Sequence, residues 1–148
     1  MEPEQWSGGA RIARAAQGSG GPIDTPSTEP VRVLVVDDDE DIREVVTMAL
    51  EDEGHEVQAA PHGAAALERL RHWQPDVILL DMRMPVMDGW EFAHQYHQMP
   101  EPHAPIVVVT AARDALERAT QIAAAGALAK PFEVDDLLAV VSRYSHHG

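Results

Sequence analysis

The chain contains no cysteine, and that single absence removes disulfide bridges, thiolate metal sites and thiol catalysis together. Lysine is almost absent as well: the eleven basic residues are all arginine except Lys130. No apolar run approaches the roughly 20 residues that a membrane-spanning helix needs. The opening Met1-Glu2-Pro3-Glu4 is acidic and lacks an apolar core of signal-peptide length, so export is not expected and a cytoplasmic location is. Clustered positive charge is also missing from a chain whose formal net charge is −14. Phosphate backbones are held by grouped Lys and Arg, so neither DNA nor RNA is an expected ligand. A chain of this balance suits cations or basic partner surfaces.

What remains is sufficient for one core. With 148 residues, 45% of them apolar, a single domain is the natural reading. Gly, Pro, Ser and Thr dominate Ser7 to Pro30, a stretch that cannot bury enough apolar area to offset its ordering entropy. Residues 1–30 therefore read as a disordered extension and 31–148 as the folded domain.

From Val31 onward short apolar runs alternate with helical patterns. Val31–Val36, His55–Ala60, Asp76–Leu80, Pro105–Thr110 and Ala127–Ala129 read as strands. Between and after them, Asp41–Glu53, Gly63–His72, Gly89–Gln98, Asp114–Ala125 and Glu133–Tyr144 read as helices. In the first helix Ile42, Val45, Val46, Ala49 and Leu50 follow helical spacing, and Gly54 is placed to cap its end. Strict alternation without a hairpin signal predicts right-handed crossovers and a parallel sheet covered on both faces. The expected fold is a doubly wound α/β domain with five strands in the flavodoxin-like order 2-1-3-4-5 and five helices. Ligands of such sheets bind beyond the carboxyl ends of the strands, where the strand order reverses between strands one and three.

The residues leaving those strand ends carry chemistry. Strand one delivers Asp37-Asp38, strand three Asp81, strand four Thr110, and strand five Lys130. Three converging carboxylates repel one another unless a hard divalent cation neutralises them, and oxygen-only ligands suit Mg²⁺. A cation, a hydroxyl and an ammonium around one carboxylate form a receptor for a phosphoryl group, with Asp81 as the nucleophile that forms an acyl phosphate. Duller readings exist for each residue. The acidic run from Asp37 to Asp41 can simply favour the positive end of the next helix, and that reading is adopted for Glu40 and Asp41. The six histidines from His55 to His103 have no metal-ligand spacing and read as surface residues, while Met82, Met84, Met87 and Trp90 read as packing.

Four motifs stand in order on the right strand ends: Val35-Val36-Asp37-Asp38, Asp81-Met82-Arg83-Met84-Pro85-Val86-Met87-Asp88-Gly89, Val109-Thr110-Ala111 and Lys130-Pro131-Phe132. In these the chain, from Val31 to about Tyr144, resembles the receiver domain of two-component response regulators. The resemblance implies that Asp81 is the phospho-acceptor and that Asp37 and Asp38 hold Mg²⁺ directly or through water. It further implies that the backbone carbonyl of Arg83 is a metal ligand and that Thr110 and Lys130 contact the phosphoryl oxygens. Ala111, being small, would keep the acceptor accessible. The donor would be a phosphohistidine of a sensor histidine kinase or phosphotransfer protein. The chain would be no enzyme beyond its own phosphorylation and dephosphorylation, and its output would be altered binding to a downstream protein or relay to a further histidine, since only Ser145-His146-His147-Gly148 follows the last helix.

The pattern departs at one position. Many receivers carry an aromatic residue three positions before the strand-five lysine, and here that position is Ala127. Alanine has no rotamer to switch, so signalling is expected through backbone shifts of the segment from Thr110 to Asp114. Arg83 and Ala112 flank the expected route of attacking water. Two rival functions fit parts of the pattern. A haloacid-dehalogenase-like phosphatase would use Asp37-Asp38-Asp39 as its Asp-x-Asp pair, but Asp41 stands where that family expects Thr or Val, and Asp81 would have no role. A receiver-fold binding module independent of phosphorylation would have no need for the full set of site residues.

Overall fold

The computed structural model describes residues 30–84, 87–111 and 115–144. The N-terminal extension, apart from its last residue, lies outside them, as do Ala112 and Asp114. Five strands, β1 (Arg32–Val36), β2 (Glu56–Ala60), β3 (Val77–Leu80), β4 (Ile106–Ala111) and β5 (Gly126–Lys130), form one parallel sheet in the order β2-β1-β3-β4-β5. The helices are α1 (Glu40–Asp52), α2 (Gly63–Leu70), α3 (Gly89–His97), α4 (Ala115–Gln121) and α5 (Val134–Ser142). Class, strand order and helix count are those expected. None of the described helices is long and apolar enough to cross a membrane.

Two hydrophobic cores, one on each sheet face, explain why the strands read as unbroken apolar runs. Successive side chains alternate across the sheet, so Leu34, Val36, Ile78, Leu80, Ile106 and Val108 enter a core with Ala66 of α2, Phe92 of α3 and Ile122 just after α4. Val33, Val35, Val77, Leu79, Val107 and Val109 enter the other, with Val46 and Leu50 of α1 and Leu137 and Val141 of α5. Of the apolar positions expected to face inward on α1, Val45 is an exception at 54% exposure. The sheet-facing line runs through Ile42, Val46 and Leu50 at four-residue steps, and Val45 sits one residue, about 100°, off that line.

Helix ends follow local chemistry. Asp39 caps α1 by accepting from the N–H groups of Asp41 and Ile42, while Glu40 and Asp41 occupy the first turn as expected. Gly54, at φ +91°, closes α1 with bonds from Gly54 N–H to Glu51 O and from His55 N–H to Leu50 O. Helix α4 ends at Gln121, four residues earlier than expected. The same two-bond motif stops it, from Ala123 N–H to Thr120 O and Ala124 N–H to Ala119 O, with Ala123 held at φ 55° where glycine is the usual occupant. An alanine-rich run gives no warning of such a stop.

Two histidines are structural, which corrects the reading of all six as plain surface residues. His62 caps α2, its Nδ1 accepting from Ala65 N–H at 3.1 Å, and His55 Nδ1 accepts from Val31 N–H at 3.0 Å beside the start of β1. Burial lowers the His55 pKa from its usual 6.5, with Glu53 opposing the shift. An imidazole that must stay neutral in the folded state loses stability when protons are forced onto it: the unfolded chain binds the proton first, so stability falls as pH drops below about 6.5. We expect the His55 imidazole to titrate below 6.5 by NMR. We also expect His55→Gln to flatten this limb of the pH–stability curve; an unchanged limb would refute the assignment.

Candidate functional site

The register of the sheet brings the site together. Val36 of β1 pairs with Leu80 of β3, so the next residue of each strand, Asp37 and Asp81, emerge side by side where the strand order reverses. Both are buried, at 3% and 6% exposure, despite being carboxylates. Asp38 is exposed at the mouth. One oxygen from each of Asp37, Asp38 and Asp81 lies within 4.8 Å of the others. At the far side Ala111 pairs with Lys130, and the lysine Nζ donates to Asp37 Oδ2 at 3.0 Å and stands 3.7 Å from Asp81 Oδ2. Thr110 is buried one residue before the end of β4, and Ala111, the last residue of that strand, is exposed. Asp37, Asp38, Asp81 and Lys130 are therefore brought together in one place.

The backbone fixes the carboxylates. Asp37 receives Asp39 N–H on Oδ1 at 2.9 Å, and its own N–H donates to Ala60 O. Asp81 N–H donates to Val36 O at 2.9 Å, while its Oδ1 accepts from Arg83 N–H at 3.1 Å, which holds Arg83 at the rim. Met82 and Met84 pack beneath the loop as expected. Two contributors carried no recognisable signal. Asp39 is the cap that turns the chain out of Asp37 and Asp38, and Arg43 Nη1 donates to the Asp37 carbonyl at 2.7 Å from the first turns of α1. Asp39 was hidden in an acidic run, and Arg43 among the helix's solvated charges.

Burial pushes the Asp81 carboxyl up from 3.8 to about 6. The Arg83 N–H and Lys130 oppose that rise, and the neighbouring Asp37 and Asp38 add to it. Crowded carboxylates, hard oxygen donors with one of them destabilised as an anion, fit a divalent cation of the Mg²⁺ type. The donor set contains no sulfur or imidazole ligand among the described residues.

A family profile described as the response regulator receiver domain matches residues 33–142. The chain belongs to the receiver family. Among relatives of this receiver, response regulator MprA of Mycobacterium sp. (strain KMS) is 40% identical over 113 residues, 74% of this chain and 48% of MprA. The DNA-binding transcriptional regulator NtrC of Escherichia coli (strain K12) is 41% identical over 117 residues, 78% of this chain and 25% of NtrC. The chain thus spans about half the length of MprA and a quarter of NtrC. The structure of the chemotaxis protein CheY4 of Vibrio cholerae is similar with a TM-score of 0.69 at 34% identity, covering 78% of this receiver and 98% of that chain. Receiver domains generally bind Mg²⁺ at an acidic pocket, and a cluster of three Asp side chains, two of them buried, is present in this receiver.

Proposed function

We propose that this receiver accepts a phosphoryl group on Asp81 from a phosphohistidine of a sensor histidine kinase or phosphotransfer protein, with Mg²⁺ held by Asp37, Asp38, Asp81 and the Arg83 carbonyl. The observation that carries the proposal is the meeting of three carboxylates within 4.8 Å beside a lysine 3.0 Å from one of them, at the switch point of the sheet. An oxygen of Asp81 attacks phosphorus, the P–O bond forms, and the P–N bond breaks with its electron pair leaving on the donor imidazole. Bound Mg²⁺ supplies positive charge to the transferring oxygens. The protein's own part is preorganisation. Lys130 is already within reach of the Asp81 carboxylate, Thr110 offers a hydroxyl to a phosphoryl oxygen, and exposed Ala111 leaves the approach open. At neutral pH Asp81 lies above its titration at about 6 and is present mainly as the nucleophilic anion.

The protein modifies itself and does not turn over an external substrate. Its output is altered affinity for a downstream protein in the cytoplasm, without nucleic acid or membrane contact by this domain. Intact-mass measurement after incubation with a small acyl-phosphate donor and Mg²⁺ tests the reading. One phosphoryl adduct is expected, lost in Asp81→Asn and on chelation. No adduct with any acyl-phosphate or phosphoramidate donor would favour the phosphorylation-independent binding module instead.

A further inference from the structure

Trp90 occupies the first turn of α3, directly after Gly89, whose N–H donates to the carbonyl of Met82 at 3.0 Å. Met82 follows Asp81. The indole is thus tied by one hydrogen bond and one peptide link to the residue next to the phospho-acceptor. Its other end is tied to α4: Trp90 Nε1–H donates to Gln121 Oε1 at 2.7 Å, and the Arg118 guanidinium lies 4.8 Å above the ring centroid. Helix α4 is also the element that the chain reaches from Thr110. The last turn of α4 is therefore pinned to Trp90 at the start of α3. A cleft of about 450 Å³, bounded by Met82, Arg83, Met84, Asp88, Trp90 and Arg118, lies along this contact and leaves room for the side chains to rearrange.

Ala127 cannot serve as the reporter. It is half-buried and packs against the core on the α2–α4 side of the sheet, with no torsion to change. We propose that the Trp90–Arg118–Gln121 contact is a latch that holds α4 in its resting position, and that occupancy of Asp81 is transmitted to α4 by weakening it. This inference rests on the phospho-acceptor reading given above. Its physical content is a two-state helix whose equilibrium both sites bias. Release must be reciprocal: if occupancy of the site opens the latch, opening the latch by mutation must tighten binding at the site.

The test uses the full chain carrying Trp6→Phe and Trp73→Phe, so that Trp90 is the sole tryptophan. Addition of beryllofluoride, a non-covalent phosphoryl mimic, with Mg²⁺ is expected to shift Trp90 emission and to speed amide exchange in residues 115–121. Gln121→Ala and Arg118→Ala, both outside the phosphoryl site, are expected to move the resting emission toward the occupied value. Each is also expected to tighten beryllofluoride binding by about fivefold, the low end of ordinary coupling. Gln121 is exposed, so its replacement leaves the fold intact. Acyl-phosphate treatment and intact mass are run in parallel. If an adduct forms but Trp90 emission, α4 exchange and the two variants' affinities are unmoved, the latch is refuted and the phospho-acceptor reading stands. If neither adduct nor beryllofluoride binding occurs, both are overturned.

Discussion

In the absence of divalent cations at neutral pH, Asp81→Asn is expected to be more stable than the parent chain, and the order is expected to invert when Mg²⁺ is added. Asp81 is buried against Asp37 and near Asp38, and its carboxyl is pushed up from 3.8 to about 6. A carboxyl with a raised folded pKa holds its proton in the folded state after the unfolded chain has lost it. Stability is therefore greatest below about 3.8 as far as this group is concerned, and it is lost as pH rises through about 6. Asparagine removes the charge while keeping the shape and an oxygen to accept the Arg83 N–H. Allowing for solvent screening at the open mouth of the site, the gain at pH 7 is about 1–2 kcal/mol. Denaturant unfolding with chelator at pH 7 and at pH 4 measures it, and the difference between the two proteins should nearly vanish at the lower pH. Mg²⁺ then stabilises the parent by mass action and the asparagine variant much less. A variant less stable than the parent under chelation at pH 7 would show that the carboxylates do not strain the fold. The His55 limb has the opposite sign, because its folded pKa is lowered, so the two effects partly offset below about pH 6 in the parent and separate only in the variants.

The second large effect is expected from Gly89→Ala. A Cβ at position 89 would lie 2.8 Å from the Cα of Met82, and backbone cannot swing aside as a side chain can. Either α3 moves outward or the chain after Asp81 is displaced, so both stability and phosphoryl acceptance should fall. Overpacking of this kind costs about 1–3 kcal/mol. That exceeds the roughly 0.5–1 kcal/mol that alanine gains over glycine within a helix. Gly63→Ala is the internal control. Its Cβ meets the Met87 Sδ at 2.7 Å, the far part of a flexible side chain, so the helix gain is expected to offset the contact. Unfolding free energies and the rate of adduct formation for the two variants check the contrast. Equal small effects would mean that Gly89 is not a close-approach position.

Much of this receiver was legible before any coordinates. The alternation of apolar runs with helical patterns carried the parallel sheet and its order, because strands covered on both faces must be apolar at every position, as Val77 to Leu80 are. The convergence at the strand ends was legible too, since polar residues that end such strands have one place to go, and Asp37, Asp81 and Lys130 meet there. Local stops were less readable. Gly54 announced the end of α1, whereas Ala123 ends α4 in a backbone conformation that its side chain does not advertise.

By itself the sequence determined the fold class, the family and the strand-end residues of the site, since each follows from short-range patterning or from residue type at a strand end. Only the tertiary structure decided how those residues are poised. The 3.0 Å contact of Lys130 with Asp37, the raised pKa of Asp81 and the bridge from Trp90 to Gln121 join residues between 31 and 93 positions apart, or depend on how deeply a carboxyl is buried. Distances across the sheet and depth below solvent arise from packing, and packing is a property of the whole chain.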